Sequence, residues 1–204
     1  MDTTGIVFGL VAVLALVFAN GFFVAAEFSL VTVRKTRIDQ LIAEGHRGAR
    51  TVRRALSDPD SYIAATQLGI TISSLALGWI GEPALAKLIE PGFALFGDRL
   101  ALGMAHTMSA VVSFSIITAL HIVLGELAPK SVALQQPEMV SLLVAKPTEL
   151  FMRAFWIPIL GLNGLGSVVV RSFGLKPPSG HSLVHSEEEL KMLVTASQEA
   201  GVIE

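Results

Sequence analysis

Three long segments without Asp, Glu, Lys or Arg constrain how this chain of 204 residues folds. They comprise residues 3–26, 61–81 and 101–125. A helix of about 20 apolar residues spans a bilayer, and each segment is at least that long. Only 16% of the residues are charged, whereas about 25% is typical of soluble domains. The sequence therefore predicts an all-α integral membrane protein with three transmembrane helices.

Several functional classes are excluded or disfavoured by what the sequence lacks. It contains no cysteine, which excludes disulfides and thiolate metal sites. The five histidines show no metal-ligand spacing, which disfavours zinc and copper. The sequence has no phosphate-binding glycine loop, Ser/His/Asp set or metal-hydrolase motif, and its aromatic residues form no base-stacking pattern. We therefore expect neither an enzyme nor a nucleic-acid-binding protein.

Basic residues are concentrated between the first two apolar segments. Residues 34–60 carry seven Arg and Lys residues, whereas the loop between the second and third segments carries only Lys87 and Arg99. The positive-inside rule places residues 34–60 in the cytoplasm and the amino terminus outside, as in a multi-pass protein of the plasma (inner) membrane. Apolar residues of this basic region recur at helical spacing, which predicts helices lying on the membrane lipids. These residues are Ile38, Leu41, Ile42, Val52, Ala55 and Leu56.

The segment 147–174 allows two interpretations. Its uncharged part, residues 154–170, is short for a span and is flanked by Arg153 and Arg171. It is either a short fourth span or, as we prefer, a set of helices packed against the cytoplasmic rim of the bundle.

Composition also predicts the boundaries of the domains. The Pro-Pro-Ser-Gly run predicts a linker over residues 177–184. Residues 185–204 then have the capping and apolar spacing of a helix, which we expect to lead into a soluble cytosolic module. The transmembrane domain is accordingly predicted over residues 1–176, with its carboxyl-terminal end in the cytoplasm.

Glu126 lies at the end of the third apolar segment, three residues before Pro129. A proline has no N–H and its ring clashes with the carbonyl four residues earlier, so we expect Pro129 to free the Gly125 carbonyl from the helix. The freed carbonyl and the Glu126 carboxylate would then face one point. Because ionisable side chains inside a membrane usually belong to a functional site, we favour a cation site. The alternative is a helix that ends at the proline, with Glu126 in headgroup water.

Polar side chains of the first two spans supply further oxygen atoms. Asn20 offers an amide oxygen, and Ser73 and Ser74 are adjacent hydroxyls in the middle of the second span, although hydroxyls serve equally well in helix–helix contacts. Glu27 lies on nearly the same helix face as Asn20, and we expect it to pair with an arginine. An all-oxygen set with one carboxylate suits hard ions such as Mg²⁺, Ca²⁺ or Na⁺.

Four ordered motifs extend this interpretation. They are NGFFVAAEFSLV at 20–31, QLGIT at 67–71, GWIGEP at 78–83 and GELAPK at 125–130. Together they resemble the transmembrane domain of the CorC/CNNM (cyclin M) magnesium transporters, and the resemblance covers nearly the whole chain. It implies a homodimer with three spans per subunit and a juxtamembrane belt. It also implies that a cytosolic CBS-pair module, which binds nucleotide in this family, follows residues 185–204.

The resemblance implies that the protein transports Mg²⁺, as an exporter coupled to Na⁺, and holds a dehydrated Mg²⁺ among the three spans. By motif, Glu126 is the acidic ligand and Gly125 a carbonyl ligand, while Asn20, Ser73 and Ser74 supply oxygen atoms. Mg²⁺ is then the transported ion and Na⁺ the coupling ion. Nucleotide is expected only in the CBS module.

Two other functions are compatible with the same residues. The first is a membrane-embedded Mg²⁺ sensor or regulatory anchor that binds the ion without transporting it. The second, weaker alternative treats His121 and Glu126 as a proton relay.

Overall fold

The computed structural model of the chain describes residues 3–94, 102–175 and 198, and the regular structure of these residues is entirely helical. The chain divides into two compact units, Met1–Gly166 and Ser167–Glu204, and the second contributes only the end of the last helix, the turn to Leu175 and residue 198 to the described part. The predicted linker and the cytosolic helix lie outside the described residues, apart from residue 198. The helices are α1 (Thr3–Thr32), α2 (Lys35–Ala43), α3 (Ala49–Ala55), α4 (Pro59–Ala94), α5 (Leu102–Leu120), a π-helical segment (His121–Leu127), α6 (Ala128–Gln135), α7 (Pro137–Ala154) and α8 (Trp156–Ser172).

Three stretches of helix are long and apolar enough to cross a membrane, which confirms the three predicted spans. They are Thr4–Thr32, Pro59–Gly92 and His106–Gln135. The second is longer than predicted because Glu82 and Pro83 do not end α4, which continues to Ala94. Other parts of a helical bundle can satisfy the backbone groups that a proline leaves free.

The two helices α7 and α8 correspond to the ambiguous segment. The ambiguous segment 147–174 begins inside α7, which starts at Pro137 and contains Pro147. The two helices together pass the same length and hydropathy test and bend by 82° at their junction. The described residues therefore hold three candidate spans, or four if the bent pair is one span, and both interpretations of this segment remain open.

Small residues allow α1 and α4 to pack closely. A Cβ added at Gly9 would lie 2.6 Å from the Cβ of Ala84, and one added at Gly81 would lie 3.2 Å from a methyl group of Val13. Apolar association between helices is weak in lipid, so close van der Waals contact of this kind holds them together. The buried residues Val13, Val17, Leu77 and Ile117 continue this contact into the third span.

The short helices α2 and α3 form at the spacing that the sequence predicts. Their apolar residues Ile38, Leu41, Val52 and Ala55 are buried against the ends of α1 and α4 and against Ala145 of α7. Charged pairs link the same helices to α7, among them Arg37 with Glu138 at 3.2 Å. This cluster gives the first unit a rigid base, and its contact with lipid headgroups stays a prediction.

The third span passes through Pro129 without ending, so the alternative of a proline-terminated helix is wrong. α5 continues directly into the π-helical segment and then into α6, which reaches Gln135. The change from α to π register places Pro129 in the first turn of α6. The continuous helix accommodates the missing N–H of Pro129 where its hydrogen-bond register changes, since the Ala128 N–H bonds to the Val123 carbonyl five residues back.

Candidate metal centre

The π-helical segment brings His121 and Glu126 together. In an α-helix, residues five apart point about 140° away from each other, whereas π-helical hydrogen bonds join residue i to residue i+5. His121 and Glu126 are five apart, and the imidazole Nε2 lies 3.6 Å from the Glu126 Oε1. The side chain of Glu126 is 48% exposed, so its carboxylate is open on one side.

Asn20 joins α1 to this segment. Its side chain is completely buried, and its Nδ2 donates a hydrogen bond to the Gly125 carbonyl at 3.0 Å. Its Oδ1 accepts a hydrogen bond from the Ser74 hydroxyl of α4 at 3.1 Å. A buried amide is costly unless both its donor and its acceptor are used, and here each is used toward a different helix.

Ser74 completes a chain of contacts through all three spans. Its Oγ lies 3.3 Å from Nε2 of His121, whose imidazole in turn reaches Glu126. The chain runs from the Gly125 carbonyl through Asn20, Ser74 and His121 to Glu126, and so returns to the helix where it began. We call these five residues the polar chain.

Two glycines let the helices approach closely enough for these bonds. A Cβ added at Gly21 would lie 2.9 Å from Cγ of Pro129 and 3.1 Å from the Leu124 carbonyl oxygen. A Cβ added at Gly125 would lie 2.9 Å from Cδ2 of His121 and 3.2 Å from the Asn20 amide nitrogen. The Asn-Gly pair of α1 therefore faces the Gly-Glu and Pro residues of the third span, which explains why the motifs occur together in one chain.

The structure brings together four of the five predicted ligands, namely Asn20, Ser74, Gly125 and Glu126. Ser73 is buried on the second span, next to Ser74, but it forms no hydrogen bond to the polar chain. Sequence analysis named His121 as a proton-relay partner and did not place it beside Ser74. No sequence signal places it there directly, because residues five apart lie on different faces of an α-helix and only the π register brings His121 beside Glu126.

The predicted ion pair between Glu27 and an arginine is wrong. In the part of the chain that the structure describes, the ion pairs do not include Glu27, and its carboxylate lies within hydrogen-bonding reach of the Gln67 side chain. The nearby arginines have other partners, because Arg37 pairs with Glu138 and Arg54 pairs with Glu149.

The polar chain offers mainly oxygen atoms to a ligand. A carbonyl, an amide, a hydroxyl and a carboxylate oxygen lie along it on three helices, and these are the ligand types of hard cations. Within residues 3–94 and 102–175 no group of three or more His, Cys, Asp or Glu side chains gathers in the way that a soft transition metal requires. The site is therefore suited to a hard cation held by a single carboxylate and neutral donors.

Known proteins and one protein family are similar to this chain over most of its length. The family described as "Cyclin M transmembrane N-terminal domain" matches residues 10–204. The UPF0053 protein YhdT of Bacillus subtilis is 46% identical over 194 residues, which cover 95% of this chain and 42% of YhdT. The UPF0053 protein YrkA of the same organism is 43% identical over 188 residues, covering 92% of this chain and 43% of YrkA.

A relative with lower sequence identity also matches nearly the whole chain. The uncharacterized protein Rv1841c of Mycobacterium tuberculosis is 36% identical over 191 residues, which cover 94% of this chain and 54% of that protein. The chain thus spans about half the length of these relatives or less.

Proposed function

The chain belongs to the CorC/CNNM (cyclin M) family, and from that premise we propose that it is the membrane-embedded part of a Na⁺-coupled Mg²⁺ exporter. The family is generally linked to the transport of Mg²⁺ and other divalent cations and is not a known enzyme class. The proposal adds the ion, the direction and the coupling to that general link. The observation that carries it is the polar chain, which joins all three spans through oxygen donors.

The donor set fits Mg²⁺ as the transported ion. Mg²⁺ takes about six oxygen ligands at about 2.0–2.1 Å and loses water reluctantly, so a dehydrated ion needs donors from several helices. In our proposal Glu126 supplies the charged ligand, and Gly125, Asn20 and Ser74 supply neutral oxygens. Ser73 completes the proposed set from the adjacent position on α4.

In the structure, polar groups of the polar chain form hydrogen bonds with one another. The Gly125 carbonyl accepts from Asn20, and the Ser74 hydroxyl donates to Asn20. An entering cation replaces these hydrogen bonds and takes up the same oxygen atoms, so the helices stay joined in both states. Until the ion arrives, His121 contacts both the Ser74 hydroxyl and the Glu126 carboxylate, and it then gives way to the ion because nitrogen is a poor ligand for Mg²⁺.

The charge of the site favours release as well as binding. Glu126 is the one carboxylate of the polar chain, so it balances half of the charge on Mg²⁺. A site with more carboxylates would bind the ion more tightly and release it slowly. Reversible binding of this kind is what a transporter requires.

The orientation and assembly of the protein are part of the same proposal. The basic α2–α3 region supports a cytoplasmic position for that end of the spans, with the amino terminus outside, in a plasma (inner) membrane. Relatives about twice as long support a further cytosolic module, which we take to be the CBS pair that binds nucleotide. The family resemblance supports a homodimer whose α2, α3 and α7 helices form the belt.

A flux measurement tests the proposal. The purified chain is reconstituted in liposomes that contain a Mg²⁺-sensitive dye, with an imposed Na⁺ gradient, and wild type is compared with Glu126→Gln. We expect Na⁺-dependent Mg²⁺ flux in the wild type and none in Glu126→Gln. The matched control Glu44→Gln changes a carboxylate that is 53% exposed just after the end of α2, and it should keep the wild-type flux.

Two results would contradict the proposal. Mg²⁺ binding without flux would identify the alternative, a sensor or regulatory anchor. Flux that depends on pH and not on Mg²⁺ would identify a proton relay through His121 and Glu126.

A further inference from the structure

A small cavity opens at the turn between α2 and α3, away from the polar chain. Its volume is about 230 Å³, and it is lined by Ile42, Gly45, His46, Arg47 and Arg50. In the described structure no acidic side chain belongs to this lining, whereas three of its five residues carry basic side chains. Like charges gathered around one space repel one another, so an anion that enters the cavity relieves this repulsion.

The backbone of this turn is fixed by hydrogen bonds. Gly45 has a φ of 83°, a left-handed conformation that ends α2 and that glycine adopts without strain. Its N–H donates to the Ile42 carbonyl at 3.0 Å, and the His46 N–H donates to the Leu41 carbonyl at 2.9 Å. The Ala49 N–H then donates to the His46 carbonyl at 3.2 Å, so α3 begins directly after the turn. The basic side chains therefore start from backbone positions that need no ordering when a ligand binds.

The five arginines of residues 35–55 divide into two groups. Arg37, Arg53 and Arg54 each contact a carboxylate of another helix, at 3.2 Å, 2.8 Å and 3.1 Å respectively. The ion pairs of the described residues include neither Arg47 nor Arg50, and both of these side chains are exposed. The first group therefore connects helices, whereas the guanidinium groups of the second are free to bind a ligand.

Glu44, the acidic residue nearest to the turn in sequence, does not neutralise the cavity. One of its carboxylate oxygens lies 3.7 Å from Nη1 of Arg37, and the other lies 3.7 Å from Nε2 of His46. Both distances are longer than a hydrogen bond, and the side chain of Glu44 is 53% exposed to water. One negative charge shared in this way leaves the charges of Arg47 and Arg50 unbalanced.

A phosphate group suits the donors that line this cavity. The planar guanidinium group presents paired N–H donors that match two oxygen atoms of one phosphate, and such charge-assisted bonds are strong. The imidazole of His46 adds a further N–H donor, and Ile42 adds an apolar wall beside the phosphate. The positive-inside rule places α2 and α3 at the cytoplasmic membrane surface, where anionic lipid headgroups attract basic residues.

We propose that His46, Arg47 and Arg50 form a binding site for the phosphate of an anionic lipid headgroup. The phosphate chemistry follows from these side chains, while the lipid as its source rests on the proposed cytoplasmic position of α2 and α3. A bound headgroup holds the turn between the two helices at the membrane surface. The site is independent of the proposed Mg²⁺ transport, since it shares no residue with the polar chain.

Native mass spectrometry of the detergent-purified chain tests the site, because it counts the lipid molecules that stay bound. The chain is titrated with phosphatidylglycerol, which is anionic, and separately with phosphatidylcholine, which has no net charge. We expect the double variant Arg47→Gln/Arg50→Gln to raise the apparent dissociation constant for phosphatidylglycerol at least about tenfold, because the phosphate loses charge-assisted hydrogen bonds. Phosphatidylcholine should bind more weakly than phosphatidylglycerol to the wild type, and equally to wild type and variant.

The double variant Lys35→Gln/Lys146→Gln is the matched control. It removes the same charge from two exposed lysines that do not line the cavity, so its dissociation constant for phosphatidylglycerol should stay within about twofold of wild type. Equal binding of phosphatidylglycerol by the two double variants would overturn the site, since it would show only a general attraction between basic residues and anionic lipid.

Inorganic phosphate distinguishes the two sources of a phosphate group. Added at about 10 mM and constant ionic strength, it should change the retention of phosphatidylglycerol by less than about twofold. Displacement of the lipid by inorganic phosphate would overturn the lipid headgroup as the ligand and identify a soluble phosphate instead.

Two further measurements keep the result independent of folding and of transport. Arg47→Gln changes one exposed side chain outside the helices, and alone it should raise the dissociation constant at least about threefold, which decides the question if the double variant does not fold. Arg47→Gln/Arg50→Gln should bind Mg²⁺ within about twofold of wild type, because the polar chain is unchanged. Loss of Mg²⁺ binding by the wild-type chain would contradict the proposed function and leave the lipid result intact.

Discussion

Two glutamates of this protein have opposite surroundings. Glu149 of α7 is 11% exposed and contacts two arginines, with Arg153 Nη2 at 2.7 Å and Arg54 Nη1 at 3.1 Å from its Oε1. Glu126 is 48% exposed, and its contact in the polar chain is an imidazole at 3.6 Å. The negative charge of Glu149 is therefore neutralised within the protein, whereas Glu126 contacts an imidazole only, and we propose that a cation balances its charge. The difference separates a carboxylate that connects helices through two arginines from one that has no arginine or lysine partner among the described residues.

The largest expected effect is on the Mg²⁺ affinity of Glu126→Gln. The substitution removes the one charged ligand of the polar chain, so we expect the dissociation constant to rise at least 100-fold, or about 2.7 kcal/mol. Glu149→Gln is the matched variant and should bind Mg²⁺ within twofold of wild type. Titration calorimetry on both variants checks the contrast, and similar losses in the two would show that Glu126 has no special role.

The second-largest effect is expected for Gly21, the glycine that lets α1 contact the third span. Gly21→Ala places a Cβ against Pro129 and the Leu124 carbonyl, so we expect a loss of about 1–3 kcal/mol in unfolding free energy. Mg²⁺ affinity should fall with it, because the π-helical segment moves.

Gly78→Ala provides the control for this prediction. An added Cβ at Gly78 has no atom within 4 Å in the described structure, and alanine favours a helix by up to about 1 kcal/mol over glycine. Thermal unfolding should therefore show Gly78→Ala unchanged or stabilised. If both alanine variants behave alike, the close contact at Gly21 does not matter.

Loss of the Glu149 charge should have a smaller effect on the unfolding free energy than Gly21→Ala. Removing its charge leaves Arg54 and Arg153 without their partner, but these arginines are 58% and 64% exposed and regain water. We expect Glu149→Gln to lose about 1–2 kcal/mol of unfolding free energy, below the cost of breaking a fully buried pair. A double-mutant cycle with Arg54→Ala measures the coupling energy between the Arg54 and Glu149 side chains. A coupling near zero would show that this ion pair does not stabilise the first unit.

The smallest effect is expected at the pair of Arg53 and Asp39. Their atoms are only 2.8 Å apart, but the aspartate side chain is 51% exposed. Asp39→Asn should change the unfolding free energy by less than about 0.5 kcal/mol, since water and salt screen such pairs. A larger change in the unfolding free energy would mean that the short distance between Arg53 and Asp39 determines the strength of this pair more than its exposure to water does.

Much of the architecture could be predicted from the sequence because membrane spans are defined by the absence of charge. The three spans follow from uncharged segments, and the buried faces of α2 and α3 follow from residues such as Ile38 and Val52. The length of α4 could not be predicted in this way, because Glu82 marks the end of an uncharged segment and not the end of a helix.

The site was less accessible to sequence reasoning. The motifs indicated Glu126, Asn20 and Ser74, but the position of His121 depends on a π register that no side-chain pattern specifies directly. The partner of Glu27 depends on the position of α1 relative to α4 along their axes. Contacts such as that of Gly9 with Ala84 determine this position. Reasoning from nearby charges alone assigned it an arginine, although the opposite helix supplies Gln67.

One contact of Asn20 also bears on how the protein is made. Its hydrogen-bond partner, the Gly125 carbonyl, lies 105 residues further along the chain. Chains are synthesised from the amino terminus, so α1 reaches the bilayer with a bare amide before that partner has left the ribosome. Such an amide is costly in lipid, and the cost ends only when the third helix arrives. The same side chain that is proposed to hold the ion therefore also favours the completed bundle over its early insertion intermediates.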